Sequence, residues 1–317
     1  MSSNRLRIRV RAALASEDHA ASPAPATSRS LLAFVALTYA VTWVVFIGAG
    51  LLPAGWAGLR LPLLLVGSFA PSGVAVALTA RARGRTGVRG LVGRLLHWRV
   101  QLRWYVFAVG FLAAVKLAVA VLYRVADGAW PHVGGEAWYA IVPAIVAAGI
   151  LGGPLGEELG WRGYALPRLA ERFGPATGSL VLGPIWASWH LPLFFMSGLA
   201  GYGDQYGQSF PTYLLQVTAL SVALAWLVGN TAGSLLLAVL MHSAINQTKD
   251  IVSSRVPGAS DMWGLSTSTT AWLTVALLWA CAAYFLTHMP TTAAMNGRLE
   301  RAAPRQGGSD NTDEDMR

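Results

Sequence analysis

Long apolar stretches recur along this chain of 317 residues, and most are close to the ~20 residues that cross a bilayer core. Hydrocarbon offers the backbone no hydrogen-bond partner, so a spanning segment satisfies its own N–H and C=O groups as a helix. Composition agrees, because 54% of the residues are hydrophobic and only 12% are charged, about half the charge of a typical soluble domain. We therefore predict an all-α fold, a polytopic transmembrane helical bundle.

The predicted spans are joined by short polar connections. We place about eight of them, at residues 31–52, 61–80, 103–123, 138–160, 178–196, 212–229, 233–249 and 270–289. Together they form one membrane domain at 31–289. The flanking segments are polar, so we predict a disordered cytoplasmic N-terminal tail at 1–30 and a disordered cytoplasmic C-terminal tail at 290–317.

Basic residues are distributed unevenly between the two sides of the predicted bundle. An even number of spans places both tails on one side, and these tails with segments 81–103 and 162–172 carry most of the 24 lysines and arginines. The opposite loops carry only Arg60, Arg124, Lys249 and Arg255. Basic loops remain in the cytoplasm, so both termini are predicted to be cytoplasmic.

The net charge of +9 is explained by a membrane. Arginine-rich connections face anionic lipid headgroups, and no aromatic-interleaved basic motif suggests a nucleic-acid partner. The preference for arginine over lysine, with abundant alanine and glycine, indicates a GC-rich bacterial genome. We therefore expect a multi-pass protein of a bacterial inner (plasma) membrane; the oligomeric state is left open.

Three short polar motifs lie inside the apolar stretches. Their polar members are Glu157, Glu158 and Arg162 in the first, His190 in the second, and His242 and Asn246 in the third. Ionisable groups at membrane depth are costly and usually functional. At a rise of ~1.5 Å per residue, the motifs reach comparable depths, so three helices could present them to one buried cavity.

Spacing within the motifs assigns side chains to helix faces. Glu158 and Arg162 are four residues apart and can form an ion pair on one face. Glu157 points about 100° away and is left free for chemistry. His242 and Asn246, also four apart, share a face of another helix.

Each motif also has a purely structural interpretation. Two glutamates followed by an arginine are typical of an exposed helix end. His190 could be a buried histidine that donates to a carbonyl, and His242 with Asn246 could be interhelical hydrogen-bond partners. The coincidence of all three motifs at one depth favours a site.

Other intramembrane chemistries fit the sequence poorly. Gly201 to Asp204 matches a Gly-x-Gly-Asp protease signature but lacks a second catalytic aspartate, and the segment around Ser72 lacks the first glycine of a rhomboid nucleophile motif. No His-Glu-x-x-His occurs, so a conventional zincin site is excluded. The single cysteine, Cys281, excludes an intrachain disulfide.

Taken together, the motifs resemble those of the CPBP family, the CAAX proteases and bacteriocin-processing enzymes also called the Abi family. The family pattern is Glu-Glu-x-x-x-Arg, then Phe-x-x-x-His, then His-x-x-x-Asn/Asp, each on its own helix. This chain departs only at Trp186, where the family has phenylalanine, and that exchange puts local packing in doubt. The resemblance covers roughly residues 140 to 250. It implies a cavity open to cytoplasm and lipid, and an endopeptidase acting on a membrane-embedded peptide or protein.

The resemblance also implies roles for the motif residues. Glu157 and His190 would hold and deprotonate a water, and the predicted ion pair on the same helix would support the active-site turn. His242 and Asn246 would donate hydrogen bonds to the developing oxyanion. Glu157, His190 and His242 would alternatively suit a zinc ion with water in the fourth position. We favour the glutamate-activated water, since Asn246 suits an oxyanion hole better than a zinc shell.

Membrane proteins of other functional classes could use the same residues. A non-catalytic transporter or a bacteriocin self-immunity membrane protein would place polar groups at mid-depth, and Gly152 to Pro154 would suit the discontinuous helix of a transporter. No inverted repeat supports that interpretation. A lipid-modifying hydrolase acting on a headgroup ester remains a third alternative.

Overall fold

The computed structural model describes residues 28–132, 140–196, 209–253 and 262–294, and every regular element within them is helical. In chain order the α-helices are α1 (Ser28–Gly50), α2 (Arg60–Ser68), α3 (Ala70–Gly93), α4 (Leu102–Asp127), α5 (Ile141–Leu151), α6 (Gly153–Glu158), α7 (Leu166–Phe173), α8 (Pro175–Trp189), α9 (Phe210–Asn230), α10 (Leu235–Thr248) and α11 (Thr269–Thr287). A π-helix, Leu159–Ala165, joins α6 to α7. Short 3-10 turns lie at Ala54–Leu59, Arg94–Leu96 and Leu191–Phe195.

Six helical segments of the described chain are long and apolar enough to cross a membrane. The all-α polytopic bundle predicted from the sequence is thereby confirmed. The fifth and seventh predicted spans form shorter helices, α8 with 15 residues and α10 with 14. Helix α8 ends early because Pro192 lacks the N–H that a further turn needs, and the chain continues as the 3-10 turn Leu191–Phe195.

The second span continues beyond its predicted end at residue 80. Helix α3 runs on to Gly93 with a kink at Gly84, where φ is 60° and ψ is −156°. Arginine is a good helix former, so the basic segment ends the hydrocarbon part of the helix without ending the helix itself. The change of polarity near residue 80 was a wrong guide to the helix end.

Burial separates central helices from peripheral ones. In α9, 72% of the most apolar window is buried inside the protein, against 22% in α1. Helices α1 and α4 leave large apolar side chains exposed, among them Val44 at 73% and Val125 at 79%. Lipid, which solvates such side chains, is their natural surrounding.

Helix α6 and the π-helix pack closely against the end of α2 and the start of α3. A Cβ atom at Gly160 would lie 2.6 Å from the carbonyl oxygen of Pro71, and one at Gly156 would lie 2.6 Å from that of Ser68. Only glycine permits this approach, which also lets the Ser72 hydroxyl donate to the Leu155 carbonyl at 3.0 Å. Ser72 is thus committed to a contact between helices.

Several predictions fall on other parts of the chain. Arg255, the Gly201 to Asp204 segment and most of both predicted tails lie outside the described residues. Residues 28–30, assigned to the N-terminal tail, belong to the first turn of α1.

Candidate active site

The first polar motif lies where an α-helix widens into a π-helix. Extended backbone at Gly152 ends α5, and α6 begins with Gly153 and Pro154, where proline is tolerated because the first turn needs no N–H donor. Further on, Pro167 cannot donate to the Gly163 carbonyl four residues earlier. Arg94 Nη1 donates to that carbonyl instead, at 3.3 Å. The widened turn therefore has an external donor, and π-turns of this kind are frequent at functional sites.

Glu158 joins two of the three motifs. Its Oε1 atom accepts hydrogen bonds from Arg162 Nη1 and from His242 Nδ1, each at 2.8 Å. The side chains of Glu158 and Arg162 are 0% exposed, and that of His242 is 4% exposed. One buried carboxylate thus connects the π-helix to α10.

Glu157 faces a different helix, as its position one residue earlier predicts. Its Oε2 atom accepts a hydrogen bond from the Trp186 indole N–H at 2.8 Å. The residue is 4% exposed, so this carboxylate is largely withdrawn from solvent. Glu157 therefore connects α6 to α8, while its neighbour connects the same turn to α10.

Trp186 contacts all three motifs. Besides binding Glu157, its carbonyl accepts from His190 Nδ1 at 2.9 Å. Its ring lies 5.1 Å from the His242 ring, centroid to centroid, and 3.9 Å from the Arg162 guanidinium carbon. From the sequence, the exchange at this residue was expected to affect local packing alone, so its central position was missed. The signal was present, because tryptophan carries an N–H donor that phenylalanine lacks.

Each of the two histidines makes its hydrogen bond through its Nδ1 atom. Nδ1 of His190 faces a carbonyl and Nδ1 of His242 faces a carboxylate, and neither acceptor can donate. Each Nδ1 therefore carries the proton, and Nε2 of the neutral ring is an acceptor. His190, half-buried, can hold a water through Nε2. His242 can donate through Nε2 only when its ring is doubly protonated.

Two further side chains complete the surroundings. Asn246, one turn beyond His242, is half-buried and has no hydrogen-bond partner among the described residues. Tyr213 on α9 lies with its ring 5.8 Å from that of His190, and the charge of Glu157 acts on both Tyr213 and His190. No motif marked Tyr213 in the sequence, because it belongs to an apolar segment distant in the chain.

A zinc ion held by Glu157, His190 and His242 would need free donor atoms from all three at one point. The anchoring of each Nδ1 by an oxygen is what a metal-bound histidine also needs. Within the described ranges, however, no three His, Cys, Asp or Glu side chains form a group that could hold a metal.

Buried glutamates and histidines meet between the helices of a polytopic membrane protein and form a candidate acid–base site. Residues 136–248, which include every motif residue, match the Rce1-like family model, described as type II CAAX prenyl endopeptidase Rce1-like. The chain is also similar to "CAAX prenyl protease 2" of Methanococcus maripaludis, with 24% identity over 225 residues that cover 68% of this chain and 82% of that protein. These two matches support the resemblance to the CPBP family of CAAX-type membrane proteases and indicate a hydrolase that acts on peptide bonds.

Proposed function

We propose that this protein is an intramembrane endopeptidase in which Glu157 activates a water molecule for attack on a membrane-associated peptide. The observation that carries the proposal is the contact of Trp186 with Glu157, His190 and His242, which brings residues of all three motifs together around one tryptophan. The family match supports the reaction class, and the geometry supports the roles.

The proposed steps use atoms that the structure leaves available. Oε2 of Glu157 is occupied by Trp186, so Oε1 accepts the proton of a water that His190 Nε2 also holds. The resulting hydroxide attacks the scissile carbonyl carbon. Glu157 then returns the proton to the amide nitrogen as the carbon–nitrogen bond breaks, giving a carboxylic acid and an amine.

The negative charge that develops on the carbonyl oxygen needs donors. The Asn246 amide, uncommitted to any described partner, can donate in every protonation state. His242 can join it through Nε2 as an imidazolium ion, with its positive charge facing Glu158 at 2.8 Å. Both donors lie on α10, one turn apart, as the spacing predicts.

A groove next to His190 in the chain is the proposed entrance for the substrate. It has a volume of about 520 Å³, and its lining includes Leu191 and Pro192, which directly follow His190. Trp43 and Ile47 of α1 and the side chain of Arg60 also line it, and Phe195 is 65% exposed. A mainly apolar segment of a membrane peptide fits such a lining.

The first test is Glu157→Gln in the full chain reconstituted in lipid, with cleavage of a membrane-peptide library as the readout. Glutamine keeps the shape and the acceptor for Trp186 but cannot take a proton, so we expect a loss of 10²-fold or more in turnover. Glu171→Gln, an exposed glutamate on α7, is the matched control and should keep full activity. Unchanged turnover in Glu157→Gln would exclude the assigned base.

The second test addresses the metal question. Because the proposed base is a carboxylate, we expect turnover of the purified protein to survive prolonged treatment with EDTA or phenanthroline. Zinc content is measured on the same samples by elemental analysis. Activity that disappears on chelation and returns only with zinc would replace this mechanism by a metal-activated water.

We also propose that both termini face the cytoplasm of a bacterial inner membrane. The support is the arginine distribution, with segments 81–103 and 162–172 on the side of the tails.

A further inference from the structure

Beyond the membrane boundary, α3 continues as a strongly basic helix. Segment 81–103 contains seven arginines and no aspartate or glutamate. The first four of these arginines are exposed, and no ion pair within the described ranges involves them; they are Arg81, Arg83, Arg85 and Arg89. Such a cluster of uncompensated cations attracts an anionic partner.

The kink at Gly84 shapes a cleft beside this cluster. The backbone there has φ 60° and ψ −156°, a conformation open essentially to glycine alone. The cleft has a volume of about 450 Å³ and is lined by Val76, Ala80, Gly84, Arg85, Val88 and Arg89. The turn of the chain thus joins an apolar wall to a pair of arginines.

The two ends of the cleft differ in chemistry along the membrane normal. Val76 and Ala80 belong to the apolar part of the spanning segment. Arg85 and Arg89 follow the kink and, four residues apart, project from one helix face. Hydrocarbon at one end and two adjacent cations at the other match the acyl chain and the phosphate of a phospholipid.

We propose that this cleft binds an anionic phospholipid, with an acyl chain against Val76 and Ala80 and the headgroup phosphate between Arg85 and Arg89. The site is independent of the proposed hydrolysis. Exposed Leu96 and Trp98 further along the segment place it at the headgroup layer, where lipid is the available anion.

The test measures lipid binding by the thermal unfolding of the full chain in neutral detergent, titrated with dioleoylphosphatidylglycerol or dioleoylphosphatidylcholine. Phosphatidylglycerol should raise the unfolding midpoint saturably, since a ligand that binds only the folded state stabilises it. Phosphatidylcholine should not. In the double variant Arg85→Ala/Arg89→Ala, the apparent Kd for phosphatidylglycerol should rise about 30-fold.

The matched control removes the same charge from the same segment. Arg99→Ala/Arg103→Ala also deletes two exposed arginines four residues apart, but outside the cleft, and should leave the Kd within about twofold of the unmodified protein. If this variant weakens binding as much as the cleft variant, attraction is diffuse and no site exists. Equal stabilisation by both lipids would also overturn the proposal.

Two further arms test the acyl chain and the kink. Glycerol phosphate, which has the anion without the acyl chain, should not shift the unfolding midpoint at concentrations where phosphatidylglycerol saturates. An equal shift would refute a lipid site.

Gly84→Ala should weaken lipid binding through loss of the kink, whereas Gly90→Ala, also with open space around it, should not. Equal Kd values for these two glycine variants would refute the role of the kink.

Discussion

Trp186 makes contacts through three different groups. Its indole N–H donates to Glu157, its carbonyl accepts from His190, and its ring packs against Arg162 and His242. Only the hydrogen bond to Glu157 depends on the indole nitrogen. Phenylalanine at this position would keep the backbone acceptor and most of the ring contacts. The hydrogen bond to Glu157 is therefore separable from packing by a single substitution.

We predict that Trp186→Phe lowers kcat/KM about 10- to 100-fold, the range expected when a hydrogen bond to a charged group is lost. The measurement is kcat/KM at one fixed pH, together with the unfolding midpoint.

Trp279→Phe is the control for this substitution. Trp279 on α11 also donates its indole N–H to another helix, to the Leu215 carbonyl of α9 at 3.1 Å, and it does not line the groove. Its variant should lose a comparable amount of stability and keep kcat/KM. An equal loss of kcat/KM in the two variants would show that Trp186 only packs.

Sequence spacing was informative within a helix and uninformative between helices. The interval of four correctly placed Glu158 beside Arg162, and the step from 157 to 158 separated the two carboxylates. Sequence spacing could not show that His242 also binds Glu158, because that hydrogen bond depends on how α10 is rotated against the π-helix. The Tyr213 contact was hidden for the same reason.

At the scale of elements, the close approach of the π-helix to α3 limits what the site can tolerate. A Cβ added at Gly160 would lie within 2.7 Å of Pro71 backbone atoms, which cannot move aside as a flexible side chain could. Separation of the two helices would also shift the turn that carries both glutamates.

We therefore predict that Gly160→Ala destabilises the protein by about 1–3 kcal/mol and lowers turnover as well. Gly73→Ala, on the facing helix but with no atom within 4 Å of the added methyl group, should be neutral or slightly stabilising. Thermal unfolding and peptide cleavage on both variants check this. A Gly160→Ala protein as stable as Gly73→Ala would contradict the packing described for α3.

Helix existence was predictable and helix extent was not. Apolar stretches long enough to span predicted the bundle, because lipid leaves the backbone few alternatives. Polarity marked the boundary near residue 80, yet α3 continues through the arginines to Gly93. Conversely, apolar residues continue past Trp189 although the α-helix ends there, since Pro192 and not polarity decides its length.

For the whole molecule, charge asymmetry predicts the orientation in the membrane. In a Cys281→Ala background, the single-cysteine variants Thr86→Cys and Asp127→Cys place exposed thiols at opposite ends of the bundle. A membrane-impermeant thiol reagent added to intact cells should label Asp127→Cys at once and Thr86→Cys only after lysis. The reverse pattern would invert the proposed topology.

The brevity of α8 and α10 has a consequence for hydration. At ~1.5 Å per residue, helices of 15 and 14 residues extend about 21–22 Å, less than the ~30 Å of bilayer hydrocarbon. His190 directly follows α8, and His242 lies midway along α10. Two helices that carry the candidate site are therefore shorter than the hydrocarbon layer, which shortens the diffusion path between bulk solvent and a carboxylate proposed to consume one solvent molecule per cleavage.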